Sequence, residues 1–197
     1  YAFMYMGRYN LDALATADVV TKLEKSKISG WGFFFFFFAL FTTGPLIDKI
    51  GGKKGMMLAA LGAAVFNILM GWVLSLHLKG AIAIDLVLTL SILYACNMFF
   101  QSFGAISTIK VKSFWFHVRE RGTFGAIFGT LISLGVYFAF DWTEAIVRAV
   151  DIRYTGEAYA FRDFMQSVFG LQTYSVSAFW LLFYIPSAFL LFWAIID

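Results

Sequence analysis

The sequence predicts an all-α membrane protein with six transmembrane helices. Of its 197 residues, 61% are hydrophobic and only 14% are charged, whereas a soluble domain is about 45–50% apolar and cannot cover more. The apolar residues also gather into stretches that reach or exceed the roughly 20 residues needed to cross a hydrocarbon core.

The first span covers about 1–16, and the second runs over 31–50 and holds six consecutive phenylalanines, Phe33 to Phe38. The third covers 55–77, the fourth 86–109, the fifth 122–140 and the sixth 175–196. The phenylalanine run reads as a surface for lipid and neighbouring helices, with no chemistry of its own. Tyr1 already lies inside an apolar run and Asp197 follows one directly, so 1–197 reads as a fragment of a longer protein. Cys96 is a lone mid-helix cysteine, which excludes an internal disulfide and suggests a small core residue.

Two connections are short and basic, "DKIGGKKG" and "KVKSFWFHVRERG". The other side carries "DVVTKLEKSK", "LHLKGAIAID" and a long loop from Asp141 to about Tyr174, and is richer in Asp and Glu. Positive charge in short loops marks the cytosolic face, so 49–54 and 110–121 are expected in the cytosol of a multi-pass protein of the cell (inner or plasma) membrane. Within the long outer loop, "FRDFMQSVF" is amphipathic and reads as an interfacial helix, Phe and Met down, Arg and Asp up.

"GPLIDKIGGKK" supplies Gly44, Asp48, Lys49, Gly51, Gly52, Lys53 and Lys54 in the pattern G-x-x-x-D-[RK]-x-G-[GR]-[RK]-[RK]. Gly44 would allow close helix contact, and Gly51 with Gly52 would make a tight reversal. Asp48, at the membrane edge, can pair with a cation on a neighbouring helix end and hold the cytosolic side closed. The bland alternative is a basic hairpin that only obeys topology. The motif and its place resemble the major facilitator superfamily. That resemblance implies an N-terminal half-bundle of six helices, built from inverted three-helix repeats, with a substrate site near the bilayer midplane and a second half that is absent from these 197 residues.

"YMGRYNL" and "FWFHVRERGTFGAIFG" further resemble the organophosphate:phosphate antiporters, the group of glycerol-3-phosphate and hexose-6-phosphate transporters. Tyr5, Arg8 and Asn10 match the setting in which a first-helix arginine of that group binds the substrate phosphate, and Glu120, Arg121 and Gly122 match the cytosolic entry to the fifth helix. The resemblance implies a partner arginine in the seventh helix. The sequence departs from the group at two places: Ile132 stands where a fifth-helix histidine is usual, and Leu40 falls near a second-helix lysine of some members.

Residue chemistry bears on Arg8 independently. It lies about ten residues inside Asp18, roughly 15 Å along a helix and about half of a ~30 Å core. A guanidinium stays charged there at a cost of at least about 2.5–3.5 kcal/mol, so it should face a cavity or a counter-charge. Tyr1, Tyr5, Arg8 and Asp12 fall on one helical face, a polar stripe suited to an anion path in which a planar guanidinium grips two phosphate oxygens. Asp12, at i+4, offers the competing account of a private ion pair with Arg8. On the fourth helix Asn97, Gln101, Gly104 and Thr108 share a face. Gln101 could reach the cavity, as a glutamine does in related antiporters, or bond helix to helix. Lys110 and Lys112 read first as topology markers, with pairing to Asp48 the alternative. Gly125 and Gly129 suggest tight packing of the fifth helix.

No catalytic triad, metal cluster or nucleotide fingerprint is present, so the sequence points away from an enzyme and calls for no cofactor. His77 and His117 read as surface residues. The net charge of +3 belongs to topology and gives no sign of nucleic-acid binding. The expected function is exchange of an organic phosphate ester for inorganic phosphate, with Arg8 as clamp, Tyr1, Tyr5 and Gln101 lining the site, and the loop around Asp48 as cytosolic gate. Its partners are then the two phosphates, the lipid bilayer and the C-terminal half. The alternatives are a transporter-like phosphate-ester sensor, or a facilitator for another anion or solute.

Overall fold

The computed structural model describes residues 2–117, 119–154, 160–170 and 176–196. Among them are seven α-helices: α1 (Ala2–Thr16), α2 (Lys22–Ile50), α3 (Gly52–Leu78), α4 (Leu86–Trp115), α5 (Arg121–Val150), α6 (Ala160–Phe169) and α7 (Leu181–Ile196). A single 3₁₀ turn covers Ile152–Tyr154. Helices α2 to α5 are long and apolar enough to cross a membrane, and α7 is apolar but shorter. The chain is a multi-pass helical membrane protein.

Apolar content misplaces the helix ends: it underestimates α2 to α5, whose ends are polar, and overestimates the last span, expected over 175–196, since α7 begins only at Leu181. Helix α2 starts nine residues before Trp31, at a capping box. The Glu24 amide donates to the Thr21 hydroxyl at 3.2 Å, and the Glu24 carboxylate accepts the Thr21 amide at 2.8 Å. Asp85 caps α4 by accepting the Leu88 amide at 3.0 Å. The expected long loop from Asp141 is helix for its first ten residues, since α5 continues to Val150. The reversal at "DKIGGKKG" is made by Gly51 alone, whose φ of +89° suits glycine. Gly52 then lets α3 approach α4: a Cβ there would lie 2.8 Å from Val111 Cγ2. Gly44 does not play the expected role, because a Cβ on it would meet only Ile106 at 3.8 Å, an ordinary contact.

The packing follows a pattern. Helix α4 rests on α2 and α3, α1 rests on α5 and α7, and α3 meets α7. Exchanging α1 with α4, α2 with α5 and α3 with α7 leaves these pairings unchanged, so the helices form two threes with α1 and α4 in matching inner positions. One apolar cluster joins α1, α4 and α7 near one end, around Leu14, Tyr94 and Phe183. A second, at the other end, packs Met4 against Ala59, Ala63 and Phe103.

Two expectations fail here. Gly129 faces open space and Gly125 meets only the Lys112 ammonium, so no described helix uses that small-residue stripe for tight packing. In α6 the arginine points in, not up. Arg162 is 4% exposed and donates to the carbonyls of Arg148 (2.7 Å), Asp151 (2.9 Å) and Ala149 (3.4 Å). These are carbonyls left open at the end of α5, whose dipole attracts a cation. Phe164 and Val168 remain exposed on the same short helix.

The same end is tied by Asp151 and Arg153. Arg153 Nε donates to Asp151 Oδ2 at 2.8 Å, Arg153 Nη2 to the Ala17 carbonyl at 2.9 Å, and Arg153 Nη1 to Asp18 Oδ2 at 3.3 Å. The Ser177 hydroxyl adds a bond to Asp151 at 3.2 Å. Burial pushes the Asp151 carboxyl up, but hydrogen bonds from the Arg153 side chain and backbone outweigh it and hold the carboxyl below its ordinary value. The cluster joins the end of α1, the end of α5 and the approach to α7.

Candidate functional site

Helix α1 is buried along most of its surface, with Met4, Met6, Leu11 and Leu14 in the core. Its remaining face is half-buried and carries Tyr5, Arg8 and Asp12 of the stripe expected from spacing, together with Tyr9. Tyr1 lies outside the described residues.

Arg8 is held from three directions. Its Nε donates to Gln101 Oε1 of α4 at 2.9 Å. Its Cζ lies 5.0 Å from the Tyr5 ring centroid and 5.2 Å from that of Phe36 on α2, both within range of cation–π attraction. No hydrogen bond occupies Nη1 or Nη2 among the described residues. An arginine bonded through Nε alone presents its two amino groups as a free fork, the geometry that meets two oxygens of a phosphate or carboxylate.

The competing account, a private pair of Arg8 with Asp12, is not what the structure shows. Asp12 pairs instead with Lys25, from the first turn of α2. Both side chains are about a third exposed (31% and 30%), so water partly screens the pair. They border a cleft of about 530 Å³ between α1, α2 and α5, with Tyr9, Thr16, Phe140 and Thr143 among its walls. Tyr9 stacks on Tyr5 at 6.2 Å and tilts against Phe140 at 4.8 Å; Tyr9 and Asp12 line this cleft, whereas Arg8 and Tyr5 are not among its walls.

Gln101 is fully buried and does not line open space. It stands behind Arg8, its Nε2 donating to Asn97 Oδ1 at 2.6 Å, and Asn97 in turn contacts the Ala63 carbonyl at 3.5 Å. The helix-to-helix alternative therefore describes it better than direct contact with a cavity. A second buried polar pair lies on the opposite side of α1, where Asn10 Nδ2 donates to Asn67 Oδ1 at 2.9 Å. The Tyr94 hydroxyl donates to the Arg8 carbonyl at 3.1 Å. Asn67, Tyr94, Phe36 and Lys25 were not singled out by sequence reasoning. Only Asn67 gives a clear signal, being an amide inside an otherwise apolar span.

At the basic end, Asp48 pairs with Lys110 at 2.7 Å, so the pairing alternative for Lys110 holds. The pair joins α2 to α4, and Asp48 is 75% exposed, so its worth is at most about 1 kcal/mol. Lys110 also donates to the Ile47 carbonyl at 3.1 Å. Arg121 covers the end of α4, donating to the carbonyls of Ser113 (2.7 Å) and Phe116 (3.1 Å). Glu120 accepts the His117 amide at 3.3 Å. Lys49, Lys53 and Lys54 are exposed and make no ion pair among the described residues.

No protein-family profile matches the chain, and no solved structure matches it. The chain is similar to the membrane sensor protein UhpC of Salmonella typhimurium, with 24% identity over 139 residues. The match covers 68% of this chain and 29% of that protein, so the chain spans less than a third of the relative's length.

Proposed function

We propose that this chain is the N-terminal six-helix half of a major-facilitator-type protein that recognises phosphate esters, and that the whole protein exchanges an organic phosphate for inorganic phosphate by alternating access. The carrying observation is Arg8, held through Nε by Gln101, with no hydrogen bond to either amino group among the described residues and with Asp12, one turn along the same helix, paired to Lys25. The matched pairing of α1–α2–α3 with α4–α5–α7 supports inverted repeats, and the likeness to a membrane sensor protein supports a membrane protein of this general type. In this reading Arg8 clamps the phosphate and Tyr5 lines the path. Gln101 positions the guanidinium from behind, and Asp48 with Lys110 latches the cytosolic ends of α2 and α4. Phosphate offsets the Arg8 charge, so the loaded form reorients more readily than the empty one, which favours exchange over one-way flow.

The test is counterflow of radiolabelled inorganic phosphate by the full-length protein in proteoliposomes, comparing parent with Arg8→Lys. Parental counterflow that Arg8→Lys abolishes, with membrane insertion intact, supports the reading. Counterflow near the parental rate in the variant removes Arg8 from the site. A second reading, a phosphate-ester sensor, is favoured by the name of the similar protein. Arg8-dependent phosphate binding without counterflow decides for it.

A further inference from the structure

We propose that Lys25 is a positioning residue for the anion site, keeping it charged by holding Asp12 away from Arg8. The inference rests on the reading of Arg8 as the phosphate clamp. Asp12 follows Arg8 by four residues on the same helical face, a spacing at which an arginine and a carboxylate ordinarily meet. In this structure they do not, because the Asp12 carboxylate is taken by the Lys25 ammonium from α2.

Neither of the other two charged residues lining the cleft is paired with Asp12. Glu144, on the α5 wall of the same cleft, is paired with Arg148 of its own helix at 2.8 Å. Lys22, at the cleft edge, makes no ion pair among the described residues. Lys25 therefore acts at a distance. It does not touch the anion, yet without it Asp12 would be a mobile carboxylate one helical turn from a guanidinium whose two amino groups are free. An internal carboxylate competes with an incoming phosphate for the same fork. At an effective dielectric constant near 20, that competition weakens phosphate binding roughly ten- to a hundredfold.

The experiment measures equilibrium binding of labelled inorganic phosphate to the full-length protein in nanodiscs. The variants are Lys25→Ala, Lys25→Arg, Asp12→Asn and the double variant Lys25→Ala/Asp12→Asn. The expected results are a loss of at least tenfold in Lys25→Ala and parental affinity in Lys25→Arg. Asp12→Asn should bind as tightly as the parent or tighter, and the double variant should return to within about twofold of the parent. A structural role for the pair predicts the opposite for the double variant, which would be as damaged as the single one. Parental affinity in Lys25→Ala, or no rescue in the double variant, overturns the proposal and leaves the phosphate site standing. Absence of Arg8-dependent phosphate binding in the parent overturns both.

Discussion

Gln101 offers the sharpest test of how the guanidinium is presented. Its Oε1 accepts Arg8 Nε at 2.9 Å, and the residue is fully buried. Replacing it by Leu removes one hydrogen bond to a charged donor, worth about 1.5–3 kcal/mol, and leaves Arg8 less fixed while its charge remains. Phosphate affinity should then fall about tenfold. Gln101→Glu changes shape far less but puts a carboxylate against the guanidinium. Unit charges about 4 Å apart attract by about 4 kcal/mol at an effective dielectric constant of 20, so phosphate must displace that partner and affinity should fall about a thousandfold. Scintillation-proximity binding of labelled phosphate to the full-length protein in nanodiscs reads both variants. The reasoning is refuted if the near-isosteric Gln101→Glu binds phosphate as the parent does, or if Leu is the more damaging of the two.

Further outcomes concern the scaffold. Arg162→Met keeps length but removes the donors to two α5 carbonyls and that of Asp151 just after it; it should lower stability by about 2–4 kcal/mol, read as a lower midpoint in detergent-solubilised thermal melts. Gly52→Val pushes a side chain into Val111 and the Ser107 carbonyl and should cost about 1–3 kcal/mol by the same assay, whereas Gly44→Ala should be nearly neutral. Asp151, held below its ordinary value of 3.8, contributes stability that is full above that value and is lost as pH falls through the lower folded one. Asp151→Asn should therefore flatten the acid limb of a stability–pH profile recorded below about pH 4, and leave the profile above pH 5 parallel to the parent's.

Much of the site was legible from spacing alone. The stripe of Tyr5, Arg8 and Asp12 follows from the helical period, and the half-exposed face of α1 carries it. What spacing could not give is the competition for each partner. Asp12 is within reach of Arg8 by sequence, but Lys25 arrives from another helix, and nothing local announces that. Similarly, Phe36 is one of six identical residues, and only the rotation of α2 selects it to face Arg8 while Phe35 and Phe37 stay exposed. Hydropathy marks the membrane-buried middle of a helix, so it misses the polar start of α2, which capping by Thr21 sets at Lys22, while the start of α4 after Asp85 agrees with it. Arg162 was read by amphipathic pattern as water-facing, but the unsatisfied carbonyls of α5 are a stronger attractor than solvent.

Three cations close helix termini that come earlier in the chain. Lys110 covers Ile47, Arg121 covers Ser113 and Arg162 covers Arg148, at separations of 63, 8 and 14 residues. Synthesis runs from the N-terminus, so each terminus leaves the ribosome before its fastener does. The end of α2 waits longest for its cation, until Lys110 near the end of α4 emerges, and meanwhile the Ile47 carbonyl keeps only the Gly51 amide at 2.9 Å. Assembly of this bundle is thereby biased in one direction, with each later segment locking an earlier one in place.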